Sequence, residues 1–400
     1  MMTRNKNMAA LKAGYLFPEV ARRRRAFAEA HPDAHIISLG VGNTTEPLPK
    51  TITKGLVDGA ARLGTMEGYV GYTDEGFIEL RQKISEVYYK GQFSADEIFV
   101  SDGAKCDIGR LQILFGSAVS IAVQDPSYPV YVDGSIIMGV QNISFLPCTA
   151  KNNYFPDLSA IPANSLVYFC SPNNPTGAVA TKEQLKALVD TARAKGCIII
   201  FDAAYSCFIR DASLPKSIFE IEGAKECAIE VQSFSKPAGF TGVRLGWTVV
   251  PKELRYTVVS TGSTTETTGA TVHSDWNRIM GTLFNGASNI AQWGGLAALS
   301  SEGQAEMKGL CDYYLGNAAI IRSTLETKGI QCIGGDNAPY VWAKFPGRDS
   351  WDVFNEILEK CQVVTTPGAG FGPAGEGYIR FSAFGHRKDV EEACKRLGCF

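Results

Sequence analysis

SLVYFCSPNNPTGAVATKEQLKALVDTARAKGCIIIFDAAY (165–205) is the stretch on which the fold reading turns. It begins and ends with short apolar runs, SLVYFCSP (165–172) and CIIIFDAAY (197–205), each closing in polar or turn residues. Between them, TKEQLKALVDTARAKG (181–196) sets Leu185, Leu188, Val189 and Ala192 at helical spacing. Thr181 followed by Gln184 reads as a capping box, and Gly196 as the stop. Upstream, EIFVSD (97–102) and SIAVQDP (120–126) repeat the strand pattern. Continuous apolar strands joined by helices predict an α/β protein with a mostly parallel central sheet, covered by helices on both faces. PYVWAKF (339–345), a helix over 350–361 and GYIRFSAFG (377–385) predict a second, smaller unit after Asn289.

Composition narrows the function classes. The chain has 400 residues, 45% hydrophobic and 20% charged, which suits two or three compact units. Lys plus Arg is 39 against Asp plus Glu at 41, so no broad basic field exists for nucleic acid or an anionic membrane. No apolar run approaches the ~20 residues of a membrane span. The first residues, MMTRNKNMAALKAGYLF, lack the apolar stretch of a secretory signal. Eleven scattered cysteines without CxxC spacing argue against a disulfide framework or a zinc site and predict free thiols in a reducing compartment. The basic run Arg22–Arg25 reads as a solvated helix face. The histidines of HPDAH (31–35) flank a proline and have no third ligand nearby, so no metal is expected. PGAGFG (367–372) lacks the lysine of a nucleotide loop.

In such sheets ligands bind where strands end. Each predicted strand ends in residues with chemistry: Asp102 and Lys105, Asp125 and Tyr128, Asn173 and Asn174, Asp202 and Tyr205. SFSKPAGFTGVRLGW (233–247) adds a lysine among aromatic residues, two serines and an arginine eight residues on. A lysine that is partly desolvated near another cation has a lowered pKa and can condense with a carbonyl. Ser233, Ser235 and Arg244 are donors suited to a phosphate monoester. Lysine, phosphate donors and a carbonyl partner together point to pyridoxal 5'-phosphate. Asp202 can hold a proton on its ring nitrogen, Tyr205 and Asn174 can donate to its phenolic oxygen, and Tyr128 can stack on its face. DGAK (102–105) opens a helix whose N–H groups face an anion.

NNPTG, DxxY, SFSK and the arginine eight residues later resemble the fold-type I, class I/II pyridoxal-phosphate aminotransferases over nearly the whole chain. GYLFPEVARRR (14–24), GNTTEP (42–47), SDGAKCDIGRLQ (101–112), QDPSYPVYVD (124–133), FNGASN (284–289), TTPGAGFGPAGEG (365–377) and SAFGHR (382–387) are similar to the LL-diaminopimelate aminotransferases. The resemblance implies an N-terminal arm and part of the small domain at 1–35, a large cofactor domain at 36–288 and a C-terminal small domain at 289–400. Lys236 would carry the internal aldimine, with Asp202 and Tyr205 as further catalytic residues. Ala104, Lys105, Ser233, Ser235 and Arg244 would hold the phosphate, and Arg380 would clamp the substrate α-carboxylate. Tyr15, Gly42, Lys105, Tyr128 and Asn174 would line the substrate side. Tyr72 and Asn285 would reach across a homodimer interface, Tyr72 toward the phosphate and Asn285 toward the distal end of the substrate. The implied reaction exchanges LL-2,6-diaminopimelate and 2-oxoglutarate with tetrahydrodipicolinate and L-glutamate in lysine biosynthesis, in the cytoplasm or in a plastid stroma.

Two departures stand out. Relatives usually read GYGxEQG where this chain has GYTDEGF (71–77), which leaves Glu75, or else Asp74, to grip a distal ammonium. Asn43 replaces the commoner Asp of GDTTEP, and a Thr/Ser/Gly-rich loop spans 257–272. A related aminotransferase acting on the α-amino group of lysine is the nearest alternative. A C–S lyase or decarboxylase would share the Lys236 core, and a cofactor-binding regulator would need a DNA-binding module that the chain does not suggest.

Overall fold

The computed structural model describes residues 2–11, 16–256, 271–398 and 400. Seven strands form the large sheet: β1 (Ile98–Ser101), β2 (Ser120–Asp125), β3 (Ile143–Pro147), β4 (Ser165–Cys170), β5 (Ile198–Asp202), β6 (Ala228–Ser233) and β7 (Gly246–Val249). Their spatial order is β1-β7-β6-β5-β4-β2-β3. Only β7 runs antiparallel to its neighbours β1 and β6. Successive side chains point to opposite faces, and here both faces are apolar and covered. Val167, Phe169, Ile199 and Phe201 enter one core, while Leu166, Tyr168, Cys170 and Ile200 enter the other. That two-sided burial is why these strands read as unbroken apolar runs.

The crossover between β4 and β5 is the helix Lys182–Lys195. Thr181 Oγ1 accepts from the Gln184 N–H and Gln184 Oε1 from the Thr181 N–H, closing the capping box, and Gly196 ends the helix at φ +65°. Leu185, Leu188, Val189 and Ala192 face the sheet, as their spacing predicts. The basic run lies on the helix Leu16–Ala30, mostly in solvent, except that Arg23 stacks over Trp351 at 4.2 Å and pairs with Glu19.

A second sheet contains β8 (Cys332–Gly334), β9 (Tyr340–Lys344), β10 (Thr366–Pro367) and β11 (Tyr378–Ser382), in the order β10-β11-β9-β8 and wholly antiparallel. Residues far apart in sequence build its core: Leu16, Val20, Ile37 and Leu39 pack with Val353, Phe354, Ile357 and Phe381. Ile37–Ser38 also pairs in parallel with Val363–Val364. The core of the large sheet extends past residue 288, through Ala291, Ala298 and Met307. The change of core falls inside the helix Ser301–Thr327, whose Ala318, Ile321 and Leu325 belong to the smaller one. The helix Ser301–Thr327 thus joins the two cores, as does the stretch between Leu39 and Ile52, and the cleft between them lies at the carboxyl ends of β2, β4, β5 and β6. No described helix is long and apolar enough to cross a membrane.

Candidate active site

Lys236 sits three residues past the end of β6, half-buried at the floor of the cleft. Its Nζ donates to the Gly42 carbonyl and lies 4.9 Å from the ring centre of Phe384 and 5.9 Å from that of Tyr205. Burial, and then the positive charge of Arg380, lower its pKa to about 7. A substantial fraction of this amine is therefore neutral near pH 7, which is the nucleophilic form.

Beside it, the helix Ala104–Phe115 begins directly after β1. Gly103 makes the turn at φ +119°, and a Cβ there would lie 2.4 Å from Nη2 of Arg244. A Cβ at Gly246 would meet the Gly103 Cα at 2.9 Å and the Ala104 nitrogen at 3.1 Å, so β7 and the helix start are in direct backbone contact. Arg244, at φ +71°, donates through Nη1 to the Thr241 carbonyl at 3.1 Å and to Ser235 Oγ at 3.3 Å. Ser233 Oγ accepts from the Ser235 N–H at 3.0 Å. The nearby Asp102 carboxylate is turned away onto Arg110 at 2.9 Å. Helix N–H groups, two hydroxyls and a guanidinium thus converge with no carboxylate among them, as a phosphate requires.

Across the cavity, Asp202 ends β5, and it is the only carboxylate among the described residues lining the cavity. Its Oδ2 accepts from the Tyr131 hydroxyl at 2.7 Å and its Oδ1 from the Ala204 N–H at 3.1 Å. Burial raises its pKa against the pull of those two donors. The Tyr205 hydroxyl lies 2.8 Å from that of Tyr340.

Arg380, on β11, is 1% exposed. Its Nη1 donates to Asn174 Oδ1 at 2.7 Å, and its Nη2 to the Gly40 carbonyl at 2.5 Å and Thr366 Oγ1 at 3.3 Å. Its Nε has no partner among the described residues, and the rings of Tyr340 and Phe371 lie 4.4 and 4.9 Å from the guanidinium carbon. Every oxygen that Arg380 meets is neutral, so its charge is buried without a counterion among the described residues. Such a charge is costly unless a ligand supplies the anion. Phosphate donors, a carboxylate for a ring nitrogen, a lysine with lowered pKa and an uncompensated arginine together fit pyridoxal phosphate and a substrate carboxylate.

Gly42, Ala104, Lys105, Tyr128, Asn174, Asp202, Tyr205, Ser233, Ser235, Lys236, Arg244 and Arg380 all line one cavity of roughly 310 Å³. Lys105 is exposed at its rim, 5.5 Å from the Tyr128 ring centre. Tyr72 and Asn285 lie outside this cavity, both exposed, Tyr72 at 83%. The segments carrying them are fastened together, since Asn289 Nδ2 donates to the carbonyls of Val70 and Gly71. Glu75 does not line the cavity either; its Oε2 is bound by Arg81 Nη1 at 2.6 Å, while Asp74 is exposed. Tyr15 and residues 257–270 of the Thr/Ser/Gly-rich loop lie outside the described residues. Sequence reasoning missed Phe17, Tyr131, Thr241 and Tyr340, which also line the cavity. Tyr131 follows Tyr128 by three residues within an already suspect motif; Tyr340 carried no local signal, because it enters from the other sheet.

Comparison with known proteins identifies the family. Residues 34–397 match the family described as aminotransferase class I and II. An LL-diaminopimelate aminotransferase of Arabidopsis thaliana, described as chloroplastic, is 54% identical, with 99% of this chain and 86% of that protein aligned. The LL-diaminopimelate aminotransferase of Protochlamydia amoebophila is 50% identical over 99% of this chain and 97% of its own length. The solved structure of L,L-diaminopimelate aminotransferase from Chlamydomonas reinhardtii superimposes with a TM-score of 0.93 at 53% identity, covering 99% of this chain and 98% of that one.

Proposed function

Because the chain belongs to the class I and II aminotransferases, we propose that it exchanges LL-2,6-diaminopimelate and 2-oxoglutarate with tetrahydrodipicolinate and L-glutamate, on pyridoxal 5'-phosphate, in lysine biosynthesis. The observation that carries the reading is the buried, uncompensated Arg380 in the same cavity as Lys236. Both substrates share an α-carboxylate, and one arginine serves both. The relatives named above support the choice of substrate.

When bound, pyridoxal phosphate supplies an electron sink for the charge left at Cα by proton removal. Ser233, Ser235, Arg244 and the start of the helix Ala104–Phe115 would hold the phosphate. Asp202 would hold a proton at the ring nitrogen, and Tyr128 would pack against the ring. Arg380 fixes the α-carboxylate, which orients the Cα–H toward Lys236. Lys236 Nζ would take that proton and deliver it to the C4′ carbon of the cofactor, and the second half-reaction would move it the opposite way. The two half-reactions share one site, so kinetics are ping-pong.

The active unit is a homodimer. Supporting this, Val57, Met66, Tyr69, Tyr72 and Ile78 expose apolar surface within one segment around the residue expected to cross the interface. Tyr72 and Asn285 then complete the partner's site, and Glu75 or Asp74 meets the distal ammonium. The reducing-compartment reading places the protein in the cytoplasm or a plastid stroma.

The test is the absorbance of the cofactor-loaded protein during titration with LL-diaminopimelate, meso-diaminopimelate, L-lysine and L-glutamate. Loss of the band of lysine-bound cofactor with the LL isomer and glutamate alone supports the reading. Conversion by lysine moves the assignment to a lysine α-aminotransferase, and absence of any such band after adding pyridoxal phosphate defeats the cofactor reading.

A further inference from the structure

Tyr131 is 1% exposed and lines the active-site cavity; its hydroxyl donates to Asp202 Oδ2 at 2.7 Å, with the Cys170 thiol beside it. Packing fixes its aim. The ring stacks on Tyr168 with centres 5.2 Å apart and planes 13° apart, and it meets Tyr128 edge-on at 5.9 Å. Burial and the adjacent Asp202 charge hold the Tyr131 hydroxyl far above the ordinary phenol pKa, so it stays protonated and donates to the carboxylate. The other groups near Asp202 do not compete for this role. Cys170 Sγ donates to the Pro172 carbonyl at 3.2 Å, the Tyr168 hydroxyl lies near Ser135 and Gln112 and makes no hydrogen bond among the described residues, and the Ala204 N–H occupies the other oxygen. Lys236 and Arg380 lie in the same cavity, but neither bonds to Asp202.

A carboxylate that is buried without donors becomes a strong base, because its charge is poorly solvated. Facing a ring nitrogen, such a base takes the shared proton, leaving a neutral ring that is a poor electron sink. Each hydrogen bond donated to the carboxylate lowers its basicity and favours the opposite arrangement. We propose that Tyr131 is a positioning residue which, by donating to Oδ2 of Asp202, makes that carboxylate the weaker base and keeps the shared proton on the ring nitrogen of bound pyridoxal phosphate. No net proton is gained or lost; the proton rests on nitrogen rather than on Oδ1 or Oδ2. This rests on the cofactor reading above and assigns a residue that reading does not include.

The test is 15N NMR of the protein loaded with pyridoxal phosphate labelled at the ring nitrogen. The wild type should show a protonated ring nitrogen. In Tyr131→Phe the resonance should move most of the way toward unprotonated pyridine, while kcat falls about tenfold and KM changes by less than about threefold. Tyr168→Phe removes a neighbouring buried hydroxyl that does not touch Asp202, and it should leave the resonance at the wild-type position. Replacing Tyr131 by 3-fluorotyrosine keeps the packing and strengthens the donor, and the resonance should stay fully protonated. An unmoved resonance in Tyr131→Phe, an equal movement in Tyr168→Phe, or deprotonation with fluorotyrosine would each overturn the proposal while leaving the cofactor reading intact. A wild type that takes up no cofactor overturns both.

Discussion

Replacing Arg380 by lysine tests the substrate clamp most directly. The guanidinium is held in one plane by Asn174 at 2.7 Å, by the Gly40 carbonyl at 2.5 Å and by Thr366 at 3.3 Å, between aromatic rings 4.4 to 5.8 Å away. A lysine is a point charge on a flexible stem and cannot present two parallel donors to a carboxylate. In a pocket that already lowers the pKa of Arg380 by burial, a lysine will also lose part of its charge. Losing one or two charge-assisted hydrogen bonds costs about 1.5–3 kcal/mol each, here taken as about 2–4 kcal/mol in total because some contact survives. That corresponds to a fall in kcat/KM of about 30- to 1,000-fold. The loss should be similar for LL-diaminopimelate and glutamate, since both present the same α-carboxylate. Cofactor affinity should stay within about threefold, because Arg380 lies apart from the phosphate donors. Steady-state kinetics for both amino donors, with a cofactor titration of the variant, give all three quantities. A change in kcat/KM below threefold, or a loss confined to one donor, refutes the shared clamp.

Three further outcomes follow from the same geometry. Gly103→Ala puts a Cβ 2.4 Å from Arg244 Nη2 at a φ of +119°, so cofactor affinity should drop by about tenfold or more with little change in secondary structure, as measured by titrating the cofactor-free protein. Lys236→Ala should abolish turnover while non-covalent cofactor binding persists. Because the folded-state pKa of Lys236 is depressed to about 7, the folded form binds fewer protons than the unfolded chain from there up to the ordinary lysine value; the cofactor-free wild type should therefore gain stability relative to Lys236→Ala as pH rises from about 7 to about 10, and a flat difference in Tm would count against the depressed value. Glu75→Gln should reduce activity with LL-diaminopimelate more than with glutamate, whereas equal losses would assign Glu75 to holding Arg81 and move the distal grip to Asp74.

The local signals proved readable where the chain uses local physics. The helix Lys182–Lys195 starts and stops at its capping residues, and the apolar runs became strands because a sheet buried on both faces leaves no polar alternation to blur them. The strand-end chemistry was legible in part: the sheet brings Lys105, Tyr128, Asn174, Asp202 and Tyr205 to one cavity, while Asp102, Asp125 and Asn173 are taken up by Arg110, by the Ala374 N–H, and by Pro126 and Thr176. Tyr340 was not legible: it looks like any core residue of PYVWAKF until β9 brings its hydroxyl to Tyr205 and next to Gly42. The pairing of Ile37–Ser38 with Val363–Val364 was likewise invisible, because no periodicity encodes a partner more than 300 residues away.

Sequence alone thus determined the sheet, its crossover helices, and the lysine, serines and arginine that share one cavity, all of which follow from spacing over a few residues. Tertiary structure decided what surrounds them: that Arg380 is buried without a counterion among the described residues, that Asp202 is answered by Tyr131, that Glu75 is tied to Arg81, and that the chain changes cores inside one helix. These are matters of charge and burial, and burial is set by which distant segments pack together, a quantity that no short window of sequence contains.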